Sequence, residues 1–379
     1  MTPSRRRPDA GRTINVVTDV AGLEALRRDW NVLATRASYT DIVYGHSWYR
    51  AWARNFGDQG LVCVTATLDS GRLGAILPLQ RGDFRRGSLS FRVLRSMTNA
   101  HSPRYDFLAA AGASPELIGR CLKEAFRRTG SGLMVLENVP ERSFIMRALA
   151  RMSEAAHCRV LVRGRHRNCL VRPAGTFDAY LGRLSGKFVR SVRADERKAA
   201  ALGEVTLREP ESAREFKDAY ARGLALEATG WKGRGGSAIL ARPVVKAFYD
   251  ELSADLYARG QMRLFLLTAG EADVGFLLCA VEHGVVRALK IGINDGLRAV
   301  GPGKVLIHRV LGRLFDEPET KLFDFCGGSQ RWKRDWADTY EAYSTVYVFP
   351  DGIDGNVAFR MARAYTRLRP VVFPAHDRD

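Results

Sequence analysis

Apolar residues recur at helix and strand spacing along the chain, and the two halves of the sequence predict a similar series of elements. In the first half, the spacing predicts helices over 20–33, 48–56 and 115–129 and strands over 61–68, 73–79, 89–94, 105–108 and 133–136. In the second half, it predicts helices over 177–184, 188–202, 243–260 and 303–315 and strands over 262–268, 274–281, 285–293 and 322–325.

This repetition indicates an internal duplication, because the segments 73–77 and 274–278 each follow a strand and a short turn and precede a helix and a short apolar strand. We therefore predict an α/β (α+β) fold of two tandem lobes, each a mixed, mostly antiparallel sheet flanked by helices. The predicted divisions are a disordered basic tail over 1–13, an N-terminal lobe over 14–165, a C-terminal lobe over 170–350, and a C-terminal helix and tail over 351–379.

Composition is that of a globular protein, since 46% of the 379 residues are hydrophobic. The sequence holds no run of eighteen apolar residues and no apolar stretch after the basic start, so we expect a cytoplasmic protein without a membrane span. The six cysteines are far apart and several lie in apolar runs, which predicts buried reduced thiols.

The net charge of +18 indicates an anionic partner, such as a phosphorylated cofactor or a nucleic acid, although a generally arginine-rich composition would give the same charge. The predicted helix near 188–202 is strongly basic. Its cations are Lys187, Arg190, Arg193, Arg197 and Lys198. Asp195 and Glu196 could pair with these arginines at helical spacing, which would make the helix an ordinary solvated surface.

The segment 290–306 is a candidate phosphate site. A strand ending at Ile293 leads through a glycine-rich loop into an amphipathic helix, so free amides and the positive helix end point at one place. Arg298, Gly301 and Gly303 stand in the pattern R-x-x-G-x-G, with Lys304 next to it. This resembles motif A of the GNAT acetyltransferases, which binds the pyrophosphate of coenzyme A, although Pro302 lacks the amide of one expected contact.

Several further segments resemble the CelD-type acetyltransferases, a GNAT-related family linked to cellulose and exopolysaccharide synthesis and itself similar to the FemAB aminoacyl transferases. The matching segments are 48–52, 74–79, 177–181, 226–233, 301–303, 323–328, and Trp332, Lys333 and Trp336. The resemblance implies two GNAT-like lobes and a catalytic C-terminal lobe. It also implies that the acceptor attacks the acyl carrier directly, with no covalent enzyme intermediate.

In that mechanism a backbone amide near the end of the fourth strand of the lobe, around Ile291 and Ile293, polarises the carbonyl. The residues predicted to bind the donor are Ile291, Ile293, Arg298, Val300, Gly301, Gly303 and Lys304. The resemblance implies acyl-coenzyme A as co-substrate, and because the sequence shows no metal-binding constellation we expect no metal.

Glu227, Asp324 and Lys333 are the predicted catalytic residues. Glu227 lies near Trp231, whose indole could raise the pKa of the carboxyl, and Asp324 is the only charge in a short apolar strand. Asp324 could instead be structural, capping the turn over 326–329 or pairing with Lys333. Lys333 could stabilise an oxyanion or bind a phosphate. The predicted substrate-binding residues are Tyr105, Trp231, Lys232 and Trp332.

Three functions remain open from the sequence. The first is acyl transfer from coenzyme A to an amine or hydroxyl of a small molecule or sugar. The second is a FemAB-like transfer from aminoacyl-tRNA, favoured by the positive charge and by Pro302. The third is a non-catalytic GNAT-like scaffold that binds an anionic polymer.

Overall fold

The chain folds into two compact units. The computed structural model describes residues 13–37, 39–57, 60–86, 89–154, 158–230, 235–236, 238–352, 355–356, 358–360 and 362–363. Unit 1 consists of residues 1–166 and 342–379, and unit 2 of residues 167–341. The predicted basic tail falls almost wholly outside the described residues, as does much of the predicted C-terminal helix and tail.

Unit 1 is built on a mixed sheet with the strand order β1-β2-β3-β4-β6-β13, and β5 pairs with β3. Its strands are β1 (Thr13–Val17), β2 (Leu61–Thr67), β3 (Leu73–Arg86), β4 (Leu89–Ser96), β5 (Leu108–Ala109), β6 (Leu133–Pro140) and the greater part of β13 (Thr339–Pro350). Its described helices are α1 (Val20–Ala25), α2 (Arg27–Arg36), α3 (His46–Phe56), α4 (Pro115–Thr129) and α5 (Phe144–Glu154).

The helix α4 begins and ends where the sequence predicts. The Ser114 hydroxyl accepts a hydrogen bond from the Leu117 amide at 3.2 Å, and Pro115 occupies the first turn, where a missing N–H costs nothing. Gly130 ends the helix in the left-handed conformation, with φ of 62°. The buried face of α4 packs against β1–β4 and α5.

Unit 2 repeats this plan with the strand order β7-β12-β11-β10-β9-β8. Its strands are the end of β7 (Cys158–Val171), β8 (Val205–Arg208), β9 (Met262–Ala269), β10 (Ala272–Glu282), β11 (Val285–Ile293) and β12 (Leu322–Asp324). Its described helices are α6 (Phe177–Arg183), α7 (Gly186–Ala200), α8 (Ala213–Thr229), α9 (Pro243–Tyr257), α10 (Pro302–Phe315) and α11 (Arg331–Arg334).

Helices cover both faces of the unit 2 sheet. On one face, α6, α7 and α10 bury apolar side chains against Phe265, Leu277 and Val286. On the other face, α8 packs on β10 so closely that a methyl group on Gly223 would overlap the Phe276 ring. Burial on both faces explains why β9 and β10 read as continuous apolar runs in the sequence.

The predicted α/β fold of two similar lobes is confirmed. In each unit an antiparallel series (β1-β2-β3-β4 or β8-β9-β10-β11) is followed by a helix (α4 or α10), which leads to a strand parallel to the last of the series. The parallel pairs are β4 with β6 and β11 with β12, and the ladders described for the other strand pairs of each unit are antiparallel.

Two strands run from one unit into the other along the chain. The strand β7 starts in unit 1, and its last residues pair with β12 in unit 2, whereas β13 starts in unit 2 and pairs with β6 in unit 1. The boundary therefore lies between His166 and Arg167 within β7. Residues 342–350, predicted to belong to the C-terminal lobe, belong to unit 1, because β13 completes its sheet.

All six cysteines are buried free thiols, as predicted. Among the described residues, no helix has the length and apolar character needed to cross a lipid bilayer.

Candidate active site in unit 2

At its carboxyl end β11 extends past β12, and on that side no described strand pairs with residues 288–293, which we call the open segment. The strand β11 pairs with β12 only from Val285 to Arg287, so the six residues from 288 to 293 extend past β12 while they remain paired with β10. The register with β10 also shifts by one residue: Lys290 pairs with Leu278 and Ala288 with Cys279, which leaves Leu289 as a bulge. A bulge re-aims the backbone that follows it. The predicted amide donors Ile291 and Ile293 lie in this segment.

Glu227 lies beside this open segment, near the end of α8. Its side chain is buried, and its Oε2 accepts a hydrogen bond from the Ile239 amide at 2.9 Å. The helix crosses β11 at Gly292, where an added methyl group would lie 3.0 Å from the Glu227 amide nitrogen and would overlap Phe276. A glycine on β11 thus lets α8 bring this carboxylate next to the open segment.

Tyr249 and Lys290 form one group of polar side chains with Glu227. The sequence predicted no functional role for either of these two residues. Tyr249 on α9 is fully buried, and burial together with the charge of Glu227 raises the pKa of its hydroxyl. The Lys290 ammonium on β11 lies 5.0 Å from the centroid of the Tyr249 ring. The available signal was that Lys290 is one of two cations, with Arg287, in an otherwise apolar strand.

Asp324 is held in a buried ion pair with Arg287, which stands opposite it in the parallel pair of β11 and β12. Its Oδ1 also accepts hydrogen bonds from the Asn168 side-chain amide at 2.5 Å and from the Cys326 amide at 2.8 Å. The carboxylate therefore caps the turn after β12, which matches the structural alternative from the sequence, but its cationic partner is Arg287 rather than Lys333.

Lys333 holds the turn that follows β12. Three consecutive residues of that turn, Cys326, Gly327 and Gly328, have positive φ angles. The Lys333 ammonium donates hydrogen bonds to the carbonyl oxygens of Cys326 and Gly327, both at 2.5 Å, and is buried. Next to it, Trp332 leaves 41% of its surface exposed.

The loop between β11 and α10 runs where the sequence predicts. Several of its polar side chains make hydrogen bonds or ion pairs with other groups of the protein. Asn294 accepts from the Gly296 amide at 3.0 Å and donates to the Asp273 carbonyl at 2.9 Å. Residues 295–300 form a 3-10 helix, and Arg298 in it pairs with Asp295 at 2.7 Å. Val300 is buried.

A carboxylate from α7 reaches the start of α10. Gly301 is left-handed, with φ of 62°, and a methyl group on it would overlap the Asp195 carboxylate. The Lys304 ammonium lies 2.5 Å from Asp195 and 2.9 Å from the Ser191 hydroxyl. At Gly303 an added Cβ would meet only Ile293, at 3.8 Å. Two of the residues predicted to bind phosphate, Gly301 and Lys304, therefore contact Asp195.

The acids of α7 face α10, and its arginines face outward. Asp195 pairs with Lys304 and Lys198, and Glu196 pairs with Arg309 at 2.6 Å and contacts His308 at 2.8 Å. The alternative that these acids neutralise the arginines of their own helix is therefore wrong. Within the described part of the chain, no ion pair involves the exposed cations of α7, which we call the α7 stripe: Lys187, Arg190, Arg193 and Arg197.

The predicted substrate residues are divided among unit 1, unit 2 (Trp332) and the part of the chain outside the described residues. Trp231 and Lys232 lie outside the described residues. Tyr105 belongs to unit 1, where it is fully buried and donates to the Pro78 carbonyl at 2.7 Å. The described residues contain no cluster of His, Cys, Asp and Glu side chains that could hold a metal ion.

Part of unit 2 matches the model of a known protein family. Residues 186–334 match the family described as Acetyltransferase (GNAT) domain. This match covers α7 to α11, including the open segment of β11 and the loop to α10. No curated protein sequence matches the chain.

Solved structures share the fold of nearly the whole chain at low sequence identity. FemX is 9% identical, with a TM-score of 0.56 over 92% of this chain and 99% of that one. The C-terminal domain of a putative lysylphosphatidylglycerol synthetase from Agrobacterium fabrum is 12% identical, with a TM-score of 0.52 over 91% and 96%. L-PGS from Bacillus licheniformis is 12% identical, with a TM-score of 0.51 over 89% and 96%.

Proposed function

We propose that the protein is an acyltransferase that moves an acetyl or other acyl group from coenzyme A directly to an amine or hydroxyl of a small-molecule or sugar acceptor. The observation that carries this proposal is the open, bulged carboxyl end of β11 within a segment that matches a GNAT domain. Backbone N–H groups at the end of a strand stand at fixed positions, and donors of this kind stabilise the oxyanion of acyl transfer.

The proposed roles follow from the residues around the open segment. A bound acyl-coenzyme A supplies an electrophilic thioester carbonyl. The amides of Ile291 and Ile293 orient and polarise that carbonyl, and Glu227 accepts the proton that the attacking amine or hydroxyl loses. The amine or hydroxyl forms the new bond to the carbonyl carbon, and the carbon–sulfur bond then breaks, so the thiolate leaves. Arg298, Gly301, Gly303 and Lys304 are the candidates for contacts to the carrier phosphates.

Glu227 is favoured over Asp324 as the base because of its contacts. Asp324 is surrounded by donors from Arg287, Asn168 and Cys326, so its carboxylate is committed to the turn. Glu227 instead lies against the open segment of β11 at Gly292. Lys333, with two carbonyl acceptors, is favoured as the residue that fixes the backbone of the turn.

Mass spectrometry of acceptor mixtures tests the proposal. The protein is incubated with amino sugars, sugars and amines together with acetyl-coenzyme A in one arm and charged tRNA in another, and the acceptors are searched for the mass of the added acyl group. Acylated product with acetyl-coenzyme A is the expected result. The absence of product in both arms, with a folded protein, would contradict the proposal.

A pair of variants then tests the role of Glu227. We expect Glu227→Gln to lower kcat by about 100-fold or more, as for the loss of a general base, with little change in unfolding temperature because the amide oxygen still accepts from Ile239. Asp218→Asn, an exposed acid on the same helix, is the control and should leave kcat unchanged. Equal kcat for Glu227→Gln and wild type would remove Glu227 from the mechanism.

A second candidate, transfer from aminoacyl-tRNA, is favoured by the α7 stripe. Its four cations span eleven residues of helix, with roughly 15 Å between the first and the last, enough for several phosphates of a nucleic-acid backbone. The structural similarity to FemX is consistent with this donor, although at 9% identity it concerns the fold alone.

Salt titration of tRNA binding tests this candidate. If the stripe contacts the backbone, neutralising Arg190, Arg193 and Arg197 to Gln should weaken binding and lower the slope of log K against log salt by roughly 0.7 to 0.9 per lost contact. The control neutralises Lys123, Arg147 and Arg151 of unit 1, which are also exposed. Equal slopes for both triple variants would reject the stripe as a tRNA surface.

A further inference from the structure

Asp195 is a buried anion on α7, a helix that carries five cations and one other acid, Glu196. Only 6% of the surface of Asp195 is exposed, and it accepts from Lys304 at 2.5 Å and from Lys198 at 3.1 Å. Burial alone would raise the pKa of its carboxyl, but the hydrogen bonds and charges of Lys304 and Lys198 lower it overall. Asp195 is therefore ionised at neutral pH.

The position of this anion coincides with the start of α10. Its carboxylate lies over Gly301, the left-handed residue that precedes the first turn, and it binds the ammonium of Lys304 within that turn. Negative charge is stabilised at a helix N-terminus, and glycine permits its close approach. A protein carboxylate thus takes the place and the counterion that the sequence pattern assigns to a phosphate.

Asp195 is not needed to fix α7 on α10. Its neighbour Glu196 makes a separate ion pair with Arg309 and a hydrogen bond with His308, both on α10. On the same helix, Val192 and Ala199 are buried in the apolar core of unit 2. The two helices therefore share contacts that do not involve Asp195.

We propose that Asp195 is a donor-specificity residue: it occupies the phosphate position at the start of α10, and a carrier diphosphate binds there only when it displaces this carboxylate from Gly301 and Lys304. The proposal rests on the proposed function, because it concerns the donor of that reaction. Two anions cannot share Lys304 at contact distance without strong repulsion. Asp195 therefore weakens the binding of carriers that place a diphosphate at this position, and coenzyme A is such a carrier.

Isothermal titration with coenzyme A tests the proposal on the full chain. Asp195→Asn keeps the volume of the side chain and removes its charge, so it should tighten the Kd for coenzyme A by about tenfold or more. Glu196→Gln removes an acid from the same helix away from Gly301, and it should leave the Kd within about twofold. Asp195→Ser serves as a second variant, because it removes the charge with a smaller side chain, and it should tighten the Kd in the same way.

The test is independent of acyl transfer. Unchanged or weaker coenzyme A binding in folded Asp195→Asn and Asp195→Ser overturns the proposal, and so does equal tightening in Glu196→Gln. If these outcomes accompany acyl product in the mass-spectrometric assay, the proposed function stands and the role of Asp195 fails. If the Asp195 variants gain affinity for coenzyme A but neither they nor wild type form product, the role of Asp195 stands and the proposed function fails.

Discussion

Asp324 and Arg287 illustrate how far single residues could be predicted. The sequence shows that an acid in a short apolar strand needs a partner, because a buried charge without one is costly. It does not show which partner, since Arg287 lies 37 residues away and meets Asp324 only through the parallel register of β11 and β12. Lys333 is closer in sequence, but it turns to the carbonyls of Cys326 and Gly327.

The ion-pair partner of Asp195 on α10 could not be predicted from the sequence, for a similar reason. In the sequence it stands among basic residues at helical spacing, which is typical of a solvated acid with neighbours on its own helix. Its actual partner Lys304 is more than a hundred residues away, on a helix whose contact with α7 depends on the packing of unit 2. By contrast, the conformation of Gly301 could be predicted from local sequence.

Asp106 of unit 1 gives a prediction on pH dependence. Its buried carboxylate accepts from the amides of Phe107, Phe144 and Ile145, and so caps α5, but burial outweighs these bonds and raises its pKa to about 7. The folded state then holds this proton more tightly than the unfolded state does. The stabilisation is present in full below the unfolded pKa, about 4, and is lost as pH rises through about 7.

Urea unfolding between pH 4.5 and 8.5 measures this effect. The free energy of unfolding of wild type, relative to Asp106→Asn, should fall as pH rises over this range. Glu154→Gln, an exposed acid at the end of α5, is the control and should run parallel to wild type. A wild-type curve parallel to that of Asp106→Asn would show that Asp106 does not titrate there.

Elements with strong local signals were predicted, and those with weak signals were not. The helix α4 carries a Ser-Pro start and a glycine end, and its bounds follow from the sequence. One predicted helix is two, since α1 ends at Ala25 and α2 starts at Arg27. The strands β7 and β13 were missed, because β7 is rich in arginine. In β13 the alternation of Val346 and Val348 with Tyr347 was the available signal.

The close contact between helix α8 and strand β11 depends on Gly292. This dependence gives a testable prediction about how the two elements pack. An alanine there would overlap the Phe276 ring and press on the backbone of Glu227. We expect Gly292→Ala to lower the free energy of unfolding by about 1–3 kcal/mol through overpacking. It should also lower activity, because it moves Glu227 relative to the open segment.

Gly182→Ala is the matched control for this measurement. Gly182 lies on α6, and an added Cβ there meets no atom within 4 Å. This change should be neutral or should stabilise the protein by up to about 1 kcal/mol, because alanine favours helix. If Gly292→Ala unfolds at the same urea concentration as Gly182→Ala, then the close packing of α8 on β11 does not contribute to stability as expected.

At the scale of the whole molecule, the two units could be predicted because the pattern of hairpin, helix and strand occurs twice along the sequence. The segment that matches a GNAT domain lies in the second unit. The sequence did not predict that the unit 1 sheet is completed by β13, which comes after the strands of unit 2 along the chain. Such pairing is non-local, and local patterns carry no information on which edge a strand joins.

Truncation tests the contribution of β13. A chain that ends at residue 341 loses the pairing of Tyr343 to Val348 with β6 and the hydrogen bond of buried Arg104 to Tyr343. We expect unit 1 of this chain to lose its thermal transition and to aggregate through the unpaired edge of β6, as seen by calorimetry and size exclusion. A chain that ends at residue 363 keeps β13 and should behave like the full protein. Equal melting of the two truncated chains would contradict this expectation.

The course of β13 has a consequence for how the protein is made. A ribosome releases a chain from its N-terminus onward, and early domains ordinarily fold while later ones are still being translated. Here the strand that completes the sheet of the first unit is synthesised only after the helices and strands of the second unit. During translation, the edge of β6 that pairs with β13 therefore stays unpaired until the second unit has emerged. In that interval we expect the first unit to bind chaperones that recognise unpaired strand edges.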